Sequence, residues 1–407
     1  MLSFRLAFRN IFRNVRRTVL TLAAISVGCS ALILNGGVIF NIFRGLREDA
    51  IYGRHGHLQI FRRGYAEGHL ADPNRFMIPE VEYPRVQSIL SGVPHVTTVT
   101  RRLSFSGLAQ NRDTTVSFLG EGVEPEADAK FHRQLSIVAG EGLASGEPFG
   151  VLLGKGLAER VHAGPGDYLT LLSQTTDGAL NAIDVRVRGV FLGGLKEYDD
   201  WTMKVPLEAA QKLVWSQRIE AIVVLLDDTA ATRAVRERLE DLFPKNGLDL
   251  EVRTWEDLAL FHNQVVALFR RELHVITLIV SVIVILSIAN TMTMSIFERT
   301  REFGTLRAMG ARPRRIVGLL LLEGTFLGLA GAAAGLLVGA LVARVVSRVG
   351  ITYPSPPGSS RPYVGGIDLV PAYVIFSCAS SVAATVVATA FPALRAARTR
   401  VVDALRQ

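Results

Sequence analysis

Cysteine is scarce: the chain of 407 residues has two, Cys29 and Cys378. Both fall inside long apolar runs, so the polar middle of the chain holds no disulfide, and a disulfide-stapled miniprotein is excluded. Acid is equally scarce outside that middle. Residues 44–272 carry 27 Lys+Arg against 32 Asp+Glu, whereas the remainder carries 18 against 5, so the net charge of +8 belongs to the ends of the apolar runs. That segregation disfavours a nucleic-acid partner. No G-x-x-x-x-G-K-[ST] string is present. The nearest, Gly150-Val-Leu-Leu-Gly154-Lys155-Gly156, has the wrong spacing and no hydroxyl for Mg²⁺, so the chain is not expected to hydrolyse ATP itself. No Ser, Cys or Lys nucleophile sits in a recognisable elbow, and no catalytic residue is assigned. His55 and His57, with His69 nearby, lack a carboxylate or third ligand at a supporting spacing, so no metal is assigned either.

What the chain has is apolar length. It is 49% hydrophobic with a mean hydropathy of +0.29. Thr18–Phe43 and Leu369–Leu394 contain no Asp, Glu, Lys or Arg; Leu273–Phe297 adds only His274, and Ile316–Ala343 only Glu323. Each exceeds the ~20 residues a helix needs to cross the hydrocarbon core. The first run is longer than the roughly 7–15 residues of a signal-peptide core and ends in no A-x-A site; Ser26-Val27-Gly28-Cys29 departs from a lipoprotein cleavage box, so an uncleaved anchor is expected.

Charge sets the orientation. Arg5, Arg9, Arg13, Arg16 and Arg17 precede the first run, six Arg lie between Arg299 and Arg315, and Arg395, Arg398, Arg400 and Arg406 follow the fourth, while only Arg348 and Arg361 join spans three and four. The positive-inside rule then places both termini and the span two to three loop in the cytoplasm and residues 44–272 outside. Residues 1–17 read either as an amphipathic helix in the headgroup plane or as a simple positive flank.

The outer region mixes periods. Asp184–Arg188, Ala221–Leu226 and Tyr168–Leu172, the last after the Gly164-Pro165-Gly166-Asp167 turn signal, read as strands. Thr232–Phe243 and Leu207–Val214 read as amphipathic helices. Glu197, Asp199 and Asp200 read as a solvated turn. The fold class is therefore membrane α-helical, with four transmembrane helices and a large α+β domain between helices 1 and 2. The expected division is 1–17 N-terminal helix, 18–43 span one, 44–272 outer domain, 273–297 span two, 298–315 cytoplasmic loop, 316–346 span three, 347–368 outer loop, 369–394 span four and 395–407 tail.

Three features stand out for function. Gly324, Gly328, Gly331, Gly335 and Gly339 share one helical face, which implies a tight seam within the bundle or across a dimer. Glu323 lies roughly 12 Å along the helix from Arg315, leaving it either a coupling or helix-pairing group or an interfacial anchor. Glu298–Ala311 reads as a helix continuing out of span two, with Arg299, Phe303, Leu306 and Gly310 on one stripe, Glu298/Arg301 and Arg299/Glu302 as ion pairs, and Gly310 and Pro313 as stops. A solvated loop accounts for the arginines but not for Phe303, Leu306 and Met309, so a groove on a cytoplasmic partner is implied.

Glu298-Arg-Thr-Arg-Glu-Phe-Gly-Thr-Leu-Arg-Ala-Met-Gly-Ala311 resembles the E-R-x-R-E-[IF]-G-x-L-[RK]-A-[ML]-G-A loop of the FtsX-like (MacB-type) ABC transporter permeases. The tail Pro392–Arg406 resembles that family's closing motif, with Val401 in place of the usual proline. Val151–Glu159, Gly166–Thr170, Gly189–Asp199 and Val205–Leu213 resemble the periplasmic core of its lipoprotein-releasing branch. The resemblance implies a multi-pass permease of a bacterial inner membrane, with its large MacB-like domain in the periplasm. Two separate ABC ATPase subunits would carry ATP and Mg, this chain binding no cofactor, and a second permease copy or paralogue would complete the complex. Glu298, Arg299, Arg301, Glu302, Phe303, Leu306, Met309 and Gly310 would form the ATPase-coupling helix. Phe40, Phe43, Val265 and Phe269 are placed, on position alone, at a lateral entrance for a lipid anchor. The expected cargo is a lipoprotein or lipid drawn from the membrane and its lipids. The alternatives are MacB-like efflux of peptides or small molecules with a periplasmic adaptor, and non-transporting control of a cell-wall hydrolase. A periplasmic chaperone is a further partner, but the family's proline-bearing hook corresponds to Ser173–Ile183, which is short and has no proline.

Overall fold

The computed structural model describes residues 15–69, 72–112, 114–131, 135–353, 360 and 363–398. The chain falls into two compact units, one of Met1–Phe43, Val265–Thr352 and Val364–Gln407, the other of Arg44–Gln264 and Tyr353–Tyr363. Arg5, Arg9, Arg13, Pro354, Pro356, Pro357, Arg361, Arg400, Val401 and Arg406 lie outside the described residues.

In chain order, helix α1 (Val15–Ala50) passes through a π-helical turn, Ile51–His55, to strand β1 (Leu58–Arg62), then α2 (Tyr65–Gly68), α3 (Tyr83–Ser91) and the long pair β2 (Val96–Asn111) and β3 (Thr114–Val123). Next come α4 (Pro125–Phe131), β4 (Ser136–Gly140), β5 (Gly150–Gly154), α5 (Lys155–Val161), β6 (Tyr168–Gln174) and β7 (Leu180–Leu192). They are followed by α6 (Lys196–Trp201), β8 (Thr202–Pro206), α7 (Leu207–Val214), β9 (Ala221–Leu226), α8 (Thr232–Lys245), β10 (Leu250–Thr254) and α9 (Trp255–Leu258). The chain closes with α10 (Leu260–Glu298), α11 (Thr300–Ala308), α12 (Pro313–Val349), β11 (Ile351–Tyr353), β12 (Tyr363–Gly365) and α13 (Pro371–Arg398).

Among the described residues, four helices are long and apolar enough to cross a membrane: Val15–His55, His262–Glu298, Pro313–Val349 and Pro371–Arg398. Their packing in the helical unit is set by the glycine face. A methyl group on Gly324 would stand 2.4 Å from Thr389 Oγ1, and one on Gly335 would stand 2.7 Å from Cys29 Cβ and 2.8 Å from the Ser26 carbonyl oxygen. Gly328 lies against Thr385, Gly331 against Ile25, and Gly339 against Ser30 and Ile33. The seam thus joins α12 to α13 at one end and to α1 at the other, within this chain. Such approach is what small residues permit where lipid removes the hydrophobic drive between helices. The buried hydroxyls of Thr385 and Thr389 donate to the Ser381 and Thr385 carbonyls at 2.8 Å, so neither polar group is left open in the bundle.

The other unit is built on a ten-stranded mixed sheet in the order β10-β1-β9-β2-β3-β8-β5-β7-β4, with β6 bridging β2 and β7. β3–β8 and β5–β7 are parallel, and the remaining pairs are antiparallel. β2 serves two neighbourhoods: Val96–Arg102 pairs with β9, and Gly107–Gln110 with β6. A methyl on Gly107 would stand 2.0 Å from the Leu172 carbonyl oxygen, so the β2–β6 crossing requires glycine there. The β6–β7 hairpin closes tightly at Thr175–Ala179, where the Ala179 carbonyl accepts from the Thr175 amide at 2.7 Å. This tip lies within Ser173–Ile183, the segment that corresponds to the family's hook. Gly150–Gly154 is a fully buried strand running into α5 rather than an open phosphate loop.

The acidic turn differs from expectation at one residue. Asp199 is buried, accepting the Gly193 amide at 2.6 Å and the Ser360 hydroxyl, because α6 folds its carboxylate inward against the backbone. Asp200 remains at the surface with Lys196.

Candidate functional site

The expected helix does not run unbroken out of span two. Arg299 leaves helical geometry at φ −108°, ψ 12°, ending α10 at Glu298 and starting α11 at Thr300. The Thr300 hydroxyl covers the loose end, donating to the Ile296 and Phe297 carbonyls at 3.1 and 2.9 Å. The reason for the break is electrostatic. It lets Arg299 turn inward, where its Nη1 donates to Glu323 Oε2 at 3.1 Å with the side chains 10% and 7% exposed. Nε reaches Glu302 Oε2 at 3.3 Å, and the guanidinium lies 5.2 Å from the Phe303 ring centre. Glu323, the lone carboxylate of span three, is therefore the partner of Arg299.

Beside this pair, Phe303 is buried among Ile296, Ile316, Leu320, Ala393 and Ala396, so α11 is seated on the ends of α10, α12 and α13 at once. Glu298 does not meet Arg301. Arg17 of α1 takes it in a two-pronged ion pair, Nη1 to Oε2 at 2.7 Å and Nη2 to Oε1 at 2.6 Å. Three long helices thus seat a nine-residue rod, and the fourth, α1, fastens the end of α10 just before it. Gly310, at φ 92°, then turns the chain through a conformation that favours glycine, and Pro313 opens α12 at its first turn.

The outward face of the rod is different in kind. Arg301, Thr305, Leu306, Ala308, Met309 and Gly310 are exposed, Leu306 by 37% and Met309 by 72%. The proposed stripe is therefore split: Arg299 and Phe303 anchor, while Leu306, Met309 and Arg301 face out. Sequence reading missed Arg17 as a partner of Glu298, because a contact between residues so distant in the chain leaves no local period. It also missed Ala393 and Ala396, although small residues three apart after the fourth run were a legible packing signal.

Of the four residues placed at a lateral entrance, Phe43 and Phe269 meet edge-on with ring centres 6.2 Å apart. Phe40 instead meets Tyr373 of α13 at 6.4 Å, and Val265 is half-buried.

The sheet unit has its own candidate, an open groove of about 770 Å³ beside β2, β3 and α6. Leu108, Phe118, Leu119 and Trp201 make it apolar, and Arg54 and Glu197 stand at its wall. Under the sheet lies a buried charge cluster. Lys204, fully buried, sits 3.5 Å from Glu121 and 3.3 Å from Asp128, and the Tyr198 hydroxyl donates to Glu121 at 2.9 Å. Burial alone would raise Glu121, but Arg102, Lys204 and Arg54 outweigh it and hold the carboxyl down at about 2. Burial, reinforced by Glu121, pushes the Tyr198 phenol well above its ordinary value. His57 is a core residue: its Nδ1 accepts the Leu226 amide at 3.1 Å and its Nε2 meets Thr229 Oγ1 at 3.1 Å. Burial first, and then Arg47, lower it to about 4.

Two family models cover nearly all of the chain, the MacB-like periplasmic core domain over residues 18–242 and the FtsX-like permease C-terminal over residues 274–401. Among curated relatives, the lipoprotein-releasing system transmembrane protein LolC of Neisseria meningitidis serogroup B is 24% identical, over 96% of this chain and 94% of its own length. The macrolide export ATP-binding/permease protein MacB of Psychrobacter arcticus is 22% identical over 86% of this chain, which spans 52% of that relative. The extracellular domain of the noncanonic ABC-type transporter YknZ from Gram-positive bacteria matches 48% of this chain and 99% of its own at 16% identity, with a TM-score of 0.36. The family models that match both parts of the chain place it in the FtsX-like, MacB-type family of ABC transporter permeases.

Proposed function

We propose that this chain is the membrane subunit of an ATP-driven complex in a bacterial inner membrane, and that α11 is where one of the two ATPase subunits of that complex takes hold. One observation carries the reading: a short helix pinned on one side by Arg299–Glu323 and Phe303 leaves Leu306 and Met309 uncovered on the other. Rigid anchoring and an exposed apolar tip are what a lever needs, since a push on the rod is passed directly to every span it touches. ATP and Mg reside on the partner chains in this reading, and closure of those chains moves the MacB-like domain.

A lipoprotein or lipid is the proposed cargo, supported by relatives named for lipoprotein release and by the apolar groove in the sheet unit. A second permease chain completes the complex; span two offers a long apolar face through Leu278, Ile279, Val282, Ile283 and Leu286, all exposed in the single chain. The relation to a macrolide exporter keeps efflux of small molecules, with a periplasmic adaptor, as a second reading.

The test is reconstitution with the cognate ATPase. Leu306→Asp with Met309→Asp should cut permease-stimulated ATP hydrolysis by about tenfold or more, as loss of an apolar hot spot does, while membrane insertion is unchanged. Undiminished stimulation in that variant would sink the coupling assignment. Glu302 is a poorer target, because it also steadies Arg299.

A further inference from the structure

At the end of α12 remote from the arginine-rich loop, a groove of about 620 Å³ lies between the helix and the segment Ile367–Leu369. Leu337, Leu341, Arg344 and Arg348 follow one another at spacings of 4, 3 and 4 along one helical stripe. The two leucines are 73% and 65% exposed, and both arginines are exposed. Among the described residues neither guanidinium has an ion pair, which sets them apart from Arg17 and Arg299 at the opposite end. The neighbouring carboxylate is engaged elsewhere: Asp368 Oδ2 accepts from Asn41 Nδ2 at 2.9 Å. Ser347 holds the far wall in place, its hydroxyl accepting the Ile367 amide at 3.0 Å.

Depth decides what such a groove meets. From Arg315 to Arg344 the helix rises roughly 43 Å at 1.5 Å per residue, about the thickness of a bilayer with its headgroups. If Arg315 is at one headgroup layer, Arg344 is at the other, with Leu341 and Leu337 one and two turns into the hydrocarbon. We propose that this groove is a binding site for an anionic phospholipid, its phosphate held between Arg344 and Arg348 and an acyl chain laid along Leu341 and Leu337. Guanidinium forks suit phosphate oxygens, and such charge-assisted bonds are strong beside a low-dielectric wall. Free phosphate would leave the leucines uncovered. A second copy of this chain docked through the same face would bring arginine against arginine. The site is independent of the transport reading, because the lipid here is a resident of the groove rather than cargo.

The full chain, purified in detergent and titrated with phosphatidylglycerol or phosphatidylcholine under native mass spectrometry, tests this. Phosphatidylglycerol should be retained about a hundredfold more strongly than phosphatidylcholine, and Arg344→Gln with Arg348→Gln should remove that preference, at about tenfold per arginine lost. Arg395→Gln with Arg398→Gln, at the other end of the bundle, should leave it unchanged. Each single variant should lower retention by about tenfold, which keeps the test open if the double variant fails to insert. Equal retention of the two lipids, or a preference that survives loss of both arginines, would overturn the proposal. So would displacement of the lipid by inorganic phosphate alone, or a Leu341→Cys variant that crosslinks to its copy in a second chain.

Discussion

Arg299 and Glu323 show how an ionisable pair is kept at the edge of a membrane. Either charge alone would be costly there, and each is made tolerable by the other at 3.1 Å. Removing one partner leaves the second buried and uncompensated, so Glu323→Gln should free α11 from its seat, read as faster amide exchange over Thr300–Ala308 with α12 unchanged. The sheet unit carries the same logic at Lys204. Lys204→Met would take the buried ammonium from Glu121 and Asp128, leaving Glu121 to Arg102 and Arg54, at a cost of about 3 kcal/mol in unfolding free energy. pH acts through His57 and Glu121 in sequence. His57 is held neutral in the fold, with its pKa lowered to about 4 from an ordinary 6.5, so the unfolded chain binds the extra proton. Stability from this group is complete above pH 6.5 and declines as pH falls from there toward 4. Glu121, held down at about 2 from 4.5, adds a second loss below pH 4.5. Exchange of the Leu226 amide, corrected for intrinsic pH dependence, should accelerate first, since that amide donates to His57.

At the scale of the element, the five glycines of α12 are not equivalent, although one face contains them all. A methyl at Gly335 would press on Cys29 and the Ser26 backbone below 3 Å, whereas one at Gly339 would find its nearest neighbours at 3.5 Å, an ordinary contact. Gly335→Ala should therefore lower thermal stability in detergent, by about 1–3 kcal/mol for overpacking against backbone. Gly339→Ala should be neutral or better, because alanine gains up to about 1 kcal/mol of helix propensity. Equal effects at the two positions would refute the seam. The α10–α11 break belongs to this scale too. Continuous periodicity predicted one helix from span two through the rod, and a buried salt bridge to a residue on another helix overrode it.

For the whole molecule, the proposed topology requires opposite sides for the rod and the β6–β7 hairpin. In a background without Cys29 and Cys378, Met309→Cys should react with membrane-impermeant thiol reagents only after the cytoplasmic face is opened, and Leu180→Cys from outside in intact cells. Both positions are well exposed in the single chain, at 72% and 81%, and expression without the ATPase keeps Met309 uncovered, so failure to label cannot be ascribed to burial. Labelling of Met309→Cys from outside would invert the scheme and dismantle the coupling proposal.

The linear order of residues was sufficient for the four apolar helices, because crossing a bilayer demands an uninterrupted local run that no tertiary contact can supply. It was sufficient as well for α7, whose period is strong and local, and for β9, a short continuous apolar run. What tertiary structure alone decided were the pairings between distant residues: Arg17 with Glu298, Arg299 with Glu323, Lys204 with Glu121 and Asp128, Asp199 with Ser360, and which neighbour each glycine admits. Composition announces that charges must be compensated and that small residues permit close approach. Only the packed chain specifies with what, since the partner is chosen by distance in space, for which sequence separation carries no information.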